Sequence, residues 1–186
     1  MRSSWPNRRQ AGDVRTVLPD VMAPGLVIVF CGTAAGTASA RRKAYYAGPG
    51  NAFWPTLFEV GLTPRRLEPE EYASVRSLGL GLTDLAKQVS GADRTLLREH
   101  FDRGSLLEKI GRYRPRILAF TSKRAAEECL GHAVRYGLLP DLIRQTRLVV
   151  LPSPSGAARR YWDVGPWHDL ARMREAGTRS DGGETK

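Results

Sequence analysis

Five consecutive apolar residues, Leu26 to Phe30, bounded by Pro24-Gly25 before and Gly32 after, constrain this chain more than any other feature. A run so short, rich in β-branched side chains and without polar alternation, has the pattern of a strand buried on both faces. Such a strand belongs in a parallel sheet covered by helices on each side. Gly32, Ala34, Ala35 and Gly36 follow it and lack bulk. A ligand can therefore approach the backbone N–H groups of this segment, expected as a loop, at the place where open α/β sheets bind their ligands. The spacing is not G-x-G-x-x-G and no Lys-Ser/Thr follows, so neither a dinucleotide fingerprint nor a phosphate loop is indicated.

The rest of the chain repeats the theme. Residues 116–121 and 147–151 read as two further buried strands, and residues 78–85 as a short strand or extended run. There Gly79 and Gly81 point to a kink or a close backbone approach. Helices are predicted after Asn51, whose side chain can cap Phe53, Trp54, Leu57, Phe58 and Val60 before Gly61 ends the pattern. Others are predicted as a short helix over residues 68–77, from a capping box at Ser105 and Glu108 up to Arg114-Pro115, from Ser122 to Leu130, and from Asp163 onward. Residues 37–50 read as a surface crossing. The alternation predicts one α/β domain over residues 24–176, a three-layer α/β/α sandwich with a central, mostly parallel sheet. A basic flexible arm (1–23) is expected to precede it and a disordered tail (177–186) to follow. If the strands are neighbours, the small-residue segments 32–36 and 152–156 frame a single pocket.

Charge narrows the partner. Lys and Arg total 29 against 19 Asp and Glu, a formal charge of +10 that favours a polyanion, nucleic acid foremost. Cys31 and Cys129 are expected as buried free thiols, too few for a cluster needing four ligands. The three histidines, His100, His132 and His168, are dispersed, so no metal or other cofactor is expected. No apolar run approaches a membrane span and no signal-like apolar stretch follows the N-terminal arginines. The expectation is a cytoplasmic, monomeric protein without membrane association.

Four segments, in order, carry a resemblance: Phe30-Cys-Gly-Thr-Ala-Ala-Gly36, Tyr46-Ala-Gly-Pro-Gly-Asn-Ala-Phe-Trp54, Gly81-Leu-Thr-Asp-Leu85 and Leu151-Pro-Ser-Pro-Ser-Gly156. Together they resemble the mismatch-specific uracil-DNA glycosylases and thymine-DNA glycosylases of the uracil-DNA glycosylase superfamily, over about residues 25–175. The resemblance implies a monofunctional enzyme that rotates a damaged or mismatched nucleotide out of double-stranded DNA, with single-stranded DNA a further substrate, and hydrolyses its glycosidic bond to start base excision repair.

By position, Tyr46 matches the aromatic that stacks on the extruded base; its other reading is a structural tyrosine. Asn51 matches a residue near the base and is equally a helix cap. Thr33 offers a hydroxyl, and its backbone N–H and that of Ala34 face a base oxygen in this alignment. Ser153 stands where relatives carry Asn or Met facing the base. Gly156, Ala157, Arg159 and Arg160 match the loop that enters the duplex. Ala157 is a small wedge, which leaves an arginine to plug the gap or bind phosphate. Arg41, Arg42 and Lys43 read as phosphate contacts or as a solvated charge run.

One departure matters more than these matches. Many relatives carry Gly-Ile-Asn-Pro-Gly in the first motif, where the Asn holds the attacking water; the aligned residue here is Ala34. The water then has to be held from elsewhere, and Asp84, at the end of the third motif, is the candidate catalytic group. Its competing reading is a helix cap, with Asp93 a weaker substitute in a polar loop. The missing Asn also motivates a second function, a slow or non-catalytic DNA-damage binding module. The permissive first loop alone motivates a third, an enzyme acting on a small nucleotide.

Overall fold

A computed structural model describes residues 16–180, with side chains through residue 176. The elements run β1 (Ile28–Ala35), α1 (Thr37–Arg42), α2 (Phe53–Glu59), β2 (Leu80–Ser90), α3 (Arg103–Tyr113), β3 (Ile117–Phe120), α4 (Lys123–Leu130), β4 (Gly137–Ile143), β5 (Thr146–Val150) and α5 (Gly165–Ser180). Five strands form one sheet in the order β2-β1-β3-β5-β4; every pairing is parallel except the antiparallel β4–β5 edge. The expected α/β/α sandwich is what the chain adopts.

Alternation along the buried strands sorts the core into two layers. Ile28 and Phe30 of β1, Ile117 and Ala119 of β3, and Val149 of β5 face Phe53, Leu57, Trp167 and Leu170 of α2 and α5. Val29, Cys31, Leu118, Phe120, Leu148 and Val150 face Leu106, Ile110, Ala125, Ala126 and Cys129 of α3 and α4. Burying each of the larger side chains contributes about 1.5–3 kcal/mol. Phe30 meets Phe53 edge-on at 5.2 Å and lies nearly parallel to Trp167 at 6.0 Å, which holds α2 and α5 against the amino half of β1. Both cysteines are buried free thiols.

Several expectations shift. The arm expected over residues 1–23 ends earlier: Leu18 and Val21 are buried, and Val21 and Leu82 exchange backbone hydrogen bonds of 2.8 and 3.0 Å. This is the close approach that Gly81 permits, since a Cβ there would lie 2.6 Å from the Val21 carbonyl. Residues 1–15 and 181–186 lie outside the described residues, and α5 continues through Ser180 into the expected tail. The surface crossing at 37–50 contains α1 and buries Ala44, Tyr45 and Ala47; Tyr45 packs with Phe53 and Trp54 of α2, and its carbonyl accepts from Trp54 Nε1 at 2.9 Å. Helix α3 is capped by Asp102, whose carboxylate accepts from Ser105 N at 2.8 Å, so Ser105 lies within the helix instead of capping it. Strand β4 was not foreseen: Pro140 breaks its pattern, and Leu138 and Leu142 face solvent. It is an edge strand, where a missing donor is tolerated, and Pro140 falls within the register shift against β5.

Candidate active site

Strand β1 does not stop where its apolar run stops. Residues 32–35, expected as a loop, continue the strand, with Gly32 opposite Asp84 and Ala34 opposite Ala86 on β2. On the other side β3 ends at Phe120, opposite Cys31. Beyond that point β1 has a neighbour on one side only, and the unfilled side is a cavity of about 550 Å³ at the carboxyl ends of the parallel strands. Thr33, Ala34, Tyr46, Asn51, Asp84, Asp93, Ser153, Gly156 and Ala157 all line it, together with Thr121, Ser122 and Tyr161. A second depression of about 500 Å³ lies between β4 and α5, framed by Leu138, Val149 and Met173. Its carboxylate, Asp169, is paired with Arg172, and it lies away from the strand ends, so the larger cavity is the one equipped for chemistry.

The two small-residue segments meet as expected. Ala52 N donates to Pro154 O at 2.8 Å, and a Cβ on Gly156 would come within 2.9 Å of Pro49 O, so the 152–156 turn seats directly on the 48–52 turn. Asn51 serves the helix and the cavity together: its Oδ1 accepts from Phe53 N at 2.9 Å while the residue lines the wall. Ser153 Oγ accepts from Ser155 N at 3.3 Å and stabilises the opposite wall.

Tyr45 and Tyr46 divide two jobs. Tyr45 is buried in the core, its hydroxyl accepting from Lys87 Nζ at 2.9 Å. Tyr46 takes a left-handed backbone (φ 55°), uncommon for a bulky residue and a small strain of the kind found at binding sites. That turn swings its ring flat against Phe53, centroids 3.8 Å apart and 13° from parallel. With one face covered by Phe53, the other is left for a ligand in the cavity. The Tyr46 hydroxyl hydrogen-bonds Thr121 Oγ1 at 3.2 Å, which in turn reaches Cys31 O at 3.4 Å, so the ring is held at both ends. Burial first, then the nearby Asp84 charge, push the Tyr46 phenol well above its ordinary pKa, which keeps it neutral.

Asp84 is on a strand, so its reading as a helix cap is excluded. It is 4% exposed, and among the described residues no donor hydrogen-bonds its carboxylate. A methyl group at Gly32 would sit 2.5 Å from Asp84 Oδ1, so glycine opposite is what leaves the carboxylate room. Burial raises its pKa to about 7, against the pull of Lys87 and with a push from Asp20. A carboxylate that changes charge near neutrality at the floor of a cavity has the character of an acid–base group.

Asp93 stands at the rim. Thr33 Oγ1 donates to its Oδ2 at 3.4 Å and pairs with Ser122 Oγ at 3.1 Å, while Arg124 donates to the Asp93 carbonyl. Ser122 also caps α4 through Ala125 N at 3.1 Å. Partial burial raises the Asp93 pKa, opposed by Arg124 and Thr33.

The basic residues are not brought into the cavity. Arg42 donates to Ala47 O at 3.0 Å and pairs with Glu70 at 2.7 Å, a clamp on the 42–47 turn. Arg41 and Lys43 are exposed beside it, and Arg159 and Arg160 are exposed on the 3₁₀ turn Gly156–Tyr161. Sequence reasoning passed over Thr121, Ser122 and Tyr161. The first two follow a buried strand directly, and Tyr161 closes a basic turn; those positions were the available signals. Among the described residues no group of three or more His, Cys, Asp and Glu side chains is placed to hold a metal ion, and no helix is long and apolar enough to cross a membrane.

Comparison with known proteins agrees with this architecture. The family model described as the uracil DNA glycosylase superfamily matches residues 19–176. The chain is also similar to a solution NMR structure of a candidate uracil DNA glycosylase from Methanosarcina acetivorans, with a TM-score of 0.59 and 25% identity, over 85% of this chain and 96% of that one.

Proposed function

The chain belongs to the uracil DNA glycosylase superfamily, and from that premise we propose that it is a monofunctional, mismatch-directed glycosylase that excises uracil, and related deaminated bases, from DNA. The observation that carries the proposal is Asp84: a buried carboxylate without a hydrogen-bond donor among the described residues, facing a base-sized cavity one wall of which is the Tyr46 ring.

In this reading the nucleotide turns out of the duplex and its base slides over the open face of Tyr46. The C1′–N bond breaks with its electron pair leaving on the base. The backbone N–H of Thr33, on the open side of β1, and the hydroxyl of Ser153 offer hydrogen bonds to the base oxygens, on which the charge develops. The deoxyribose becomes cationic at C1′, and ionised Asp84 stabilises it. Asp84 also orients a water, whose oxygen bonds to C1′ while its proton passes to the carboxylate. Solvent protonates the departing base and later reclaims the proton from Asp84. Ala34, a methyl group where relatives hold water with an amide, leaves this function to the opposite strand. Arg159 and Arg160, exposed beside the cavity mouth, supply phosphate contacts in keeping with the +10 charge.

Ala34 also motivates a second reading, a damage-binding module that turns over slowly. Incubation with labelled oligonucleotides followed by alkaline strand scission separates the two. Uracil opposite guanine, uracil opposite adenine, single-stranded uracil and hypoxanthine are the substrates. Cleavage of at least the uracil–guanine duplex is expected. Tight binding with no scission above a buffer control at stoichiometric protein establishes the binding module instead.

A further inference from the structure

We infer that Tyr161 is the side chain that enters the duplex and fills the space left by the extruded nucleotide. The inference rests on the base-excision reading of the cavity and names a residue that reading leaves open.

Six large apolar or aromatic side chains are notably exposed among the described residues, and of these Tyr161 alone lines the cavity. It is 62% exposed, and its position at the mouth gives the exposure a use. Ala157, at the position the family resemblance assigns to the entering loop, presents a single methyl group. Arg159 and Arg160 do not line the cavity at all.

The support under Tyr161 is stiff. Ser155 Oγ accepts from Ala157 N at 3.4 Å and Ser155 O from Ala158 N at 2.9 Å, which winds residues 156–161 into a tight 3₁₀ turn. The next residue, Trp162, packs against Trp167 at 5.9 Å, anchoring the turn to α5. At the other end Gly156 rests on the 49–50 backbone. A phenol ring is thus projected from a braced turn beside the place where the flipped nucleotide would pass.

A vacated base step is a slot one ring thick, and an aromatic side chain fills it by stacking on the bases above and below without regard to sequence. Arg160 lies over the Tyr161 ring at 4.6 Å and donates to its hydroxyl, which orients the ring. On insertion the guanidinium exchanges the ring for the phosphate flanking the gap.

Single-turnover excision from a uracil–guanine duplex, compared with excision from single-stranded uracil, tests this. A single strand has no stack to refill, so Tyr161→Ala is expected to slow duplex excision by about ten- to a hundredfold, the scale of one lost stacking partner. Single-strand excision should fall several-fold less than duplex excision, circular dichroism checks that the variant is folded, and Tyr161→Phe should restore the duplex rate. An unchanged duplex rate in Tyr161→Ala, or equal loss on both substrates, overturns the inference. A 2-aminopurine beside the uracil reports ring insertion by fluorescence without any excision. If the wild-type protein excises from neither substrate, the glycosylase reading fails on its own. The fluorescence comparison still decides Tyr161: a signal lost in Tyr161→Ala supports insertion, and equal signals overturn it.

Discussion

Asp20 and Asp84 are two largely buried carboxylates in the field of the same two lysines, yet their proton affinities move in opposite directions. Burial raises both. Asp20 accepts Lys87 Nζ at 2.8 Å, Lys109 Nζ at 2.7 Å and Thr83 Oγ1 at 2.7 Å, and the two lysines outweigh burial and hold it below its ordinary value. Asp84 feels the lysines only through space, and its pKa rises to about 7. The lesson is that the lysines offset the cost of burial where they touch the carboxylate, by charge and hydrogen bond together, and fall short where they act from a distance. Asp20 uses its charge to tie the 16–23 segment to β2 and α3, and in taking the lysines it leaves Asp84 without them.

The sharpest way to break this contrast is to remove each charge in turn. Asp84→Asn keeps the shape and deletes the carboxylate. Single-turnover excision of uracil is expected to fall at least about a hundredfold while DNA affinity holds, the scale of a lost acid–base group. A rate within threefold of wild type would return Asp84 to a bystander. Asp20→Asn should act on stability instead. Its folded pKa is depressed, so its contribution is present above the unfolded value of 3.8 and is lost as pH falls through the lower folded value. At pH 7 the variant is expected to lose about 2 kcal/mol in urea unfolding, since two lysines keep their burial and lose their partner, and the deficit should close toward pH 3. A deficit that persists unchanged in acid would show that packing, not the ion pair, is what Asp20 supplies.

This contrast also marks what was legible beforehand. The β1, β3 and β5 apolar runs and the Ser122 cap were readable because buried parallel strands and N-caps are local patterns, and the four motif segments did converge on one cavity. Asp84 was singled out and residues 78–85 were readable as a short strand; Thr-Asp-Leu-Ala also reads locally as a cap, and pairing with β1 carries the strand on to Leu80–Ser90. The need for glycine at position 32 is likewise a contact between strands. Asp20's lysines lie 67 and 89 residues away along the chain, and no spacing rule reaches that far. Arg42 read as a phosphate contact or part of a solvated charge run and is bound to Glu70 and Ala47, because charge is visible in a sequence and its partner is not.

The subtlest test uses the coupling between the two aspartates. With a pKa of about 7, Asp84 is roughly a tenth ionised at pH 6 and nine-tenths at pH 8, so the single-turnover rate should rise about tenfold over that interval and then level. The same titration runs against stability: the folded state binds the proton more tightly than the unfolded one, so Asp84 costs increasing stability as pH climbs from about 4 to 7, and Asp84→Asn should flatten that decline. Asp20 is one of the charges that hold the midpoint up, together with Asp93, while Lys87 and Lys109 pull it down. Removing Asp20 deletes a repulsion and frees both lysines to act on Asp84. The Asp20→Asn rate profile should therefore shift to lower pH, raising the relative rate at pH 6 a few-fold, even as the protein becomes less stable. Lower stability with a more acid-tolerant rate is a combination that general loosening of the fold does not produce, because loosening would hydrate Asp84 and depress the plateau as well. A midpoint that stays fixed in Asp20→Asn would mean that the two carboxylates are electrically independent and that burial and the remaining charges set the proton affinity of Asp84.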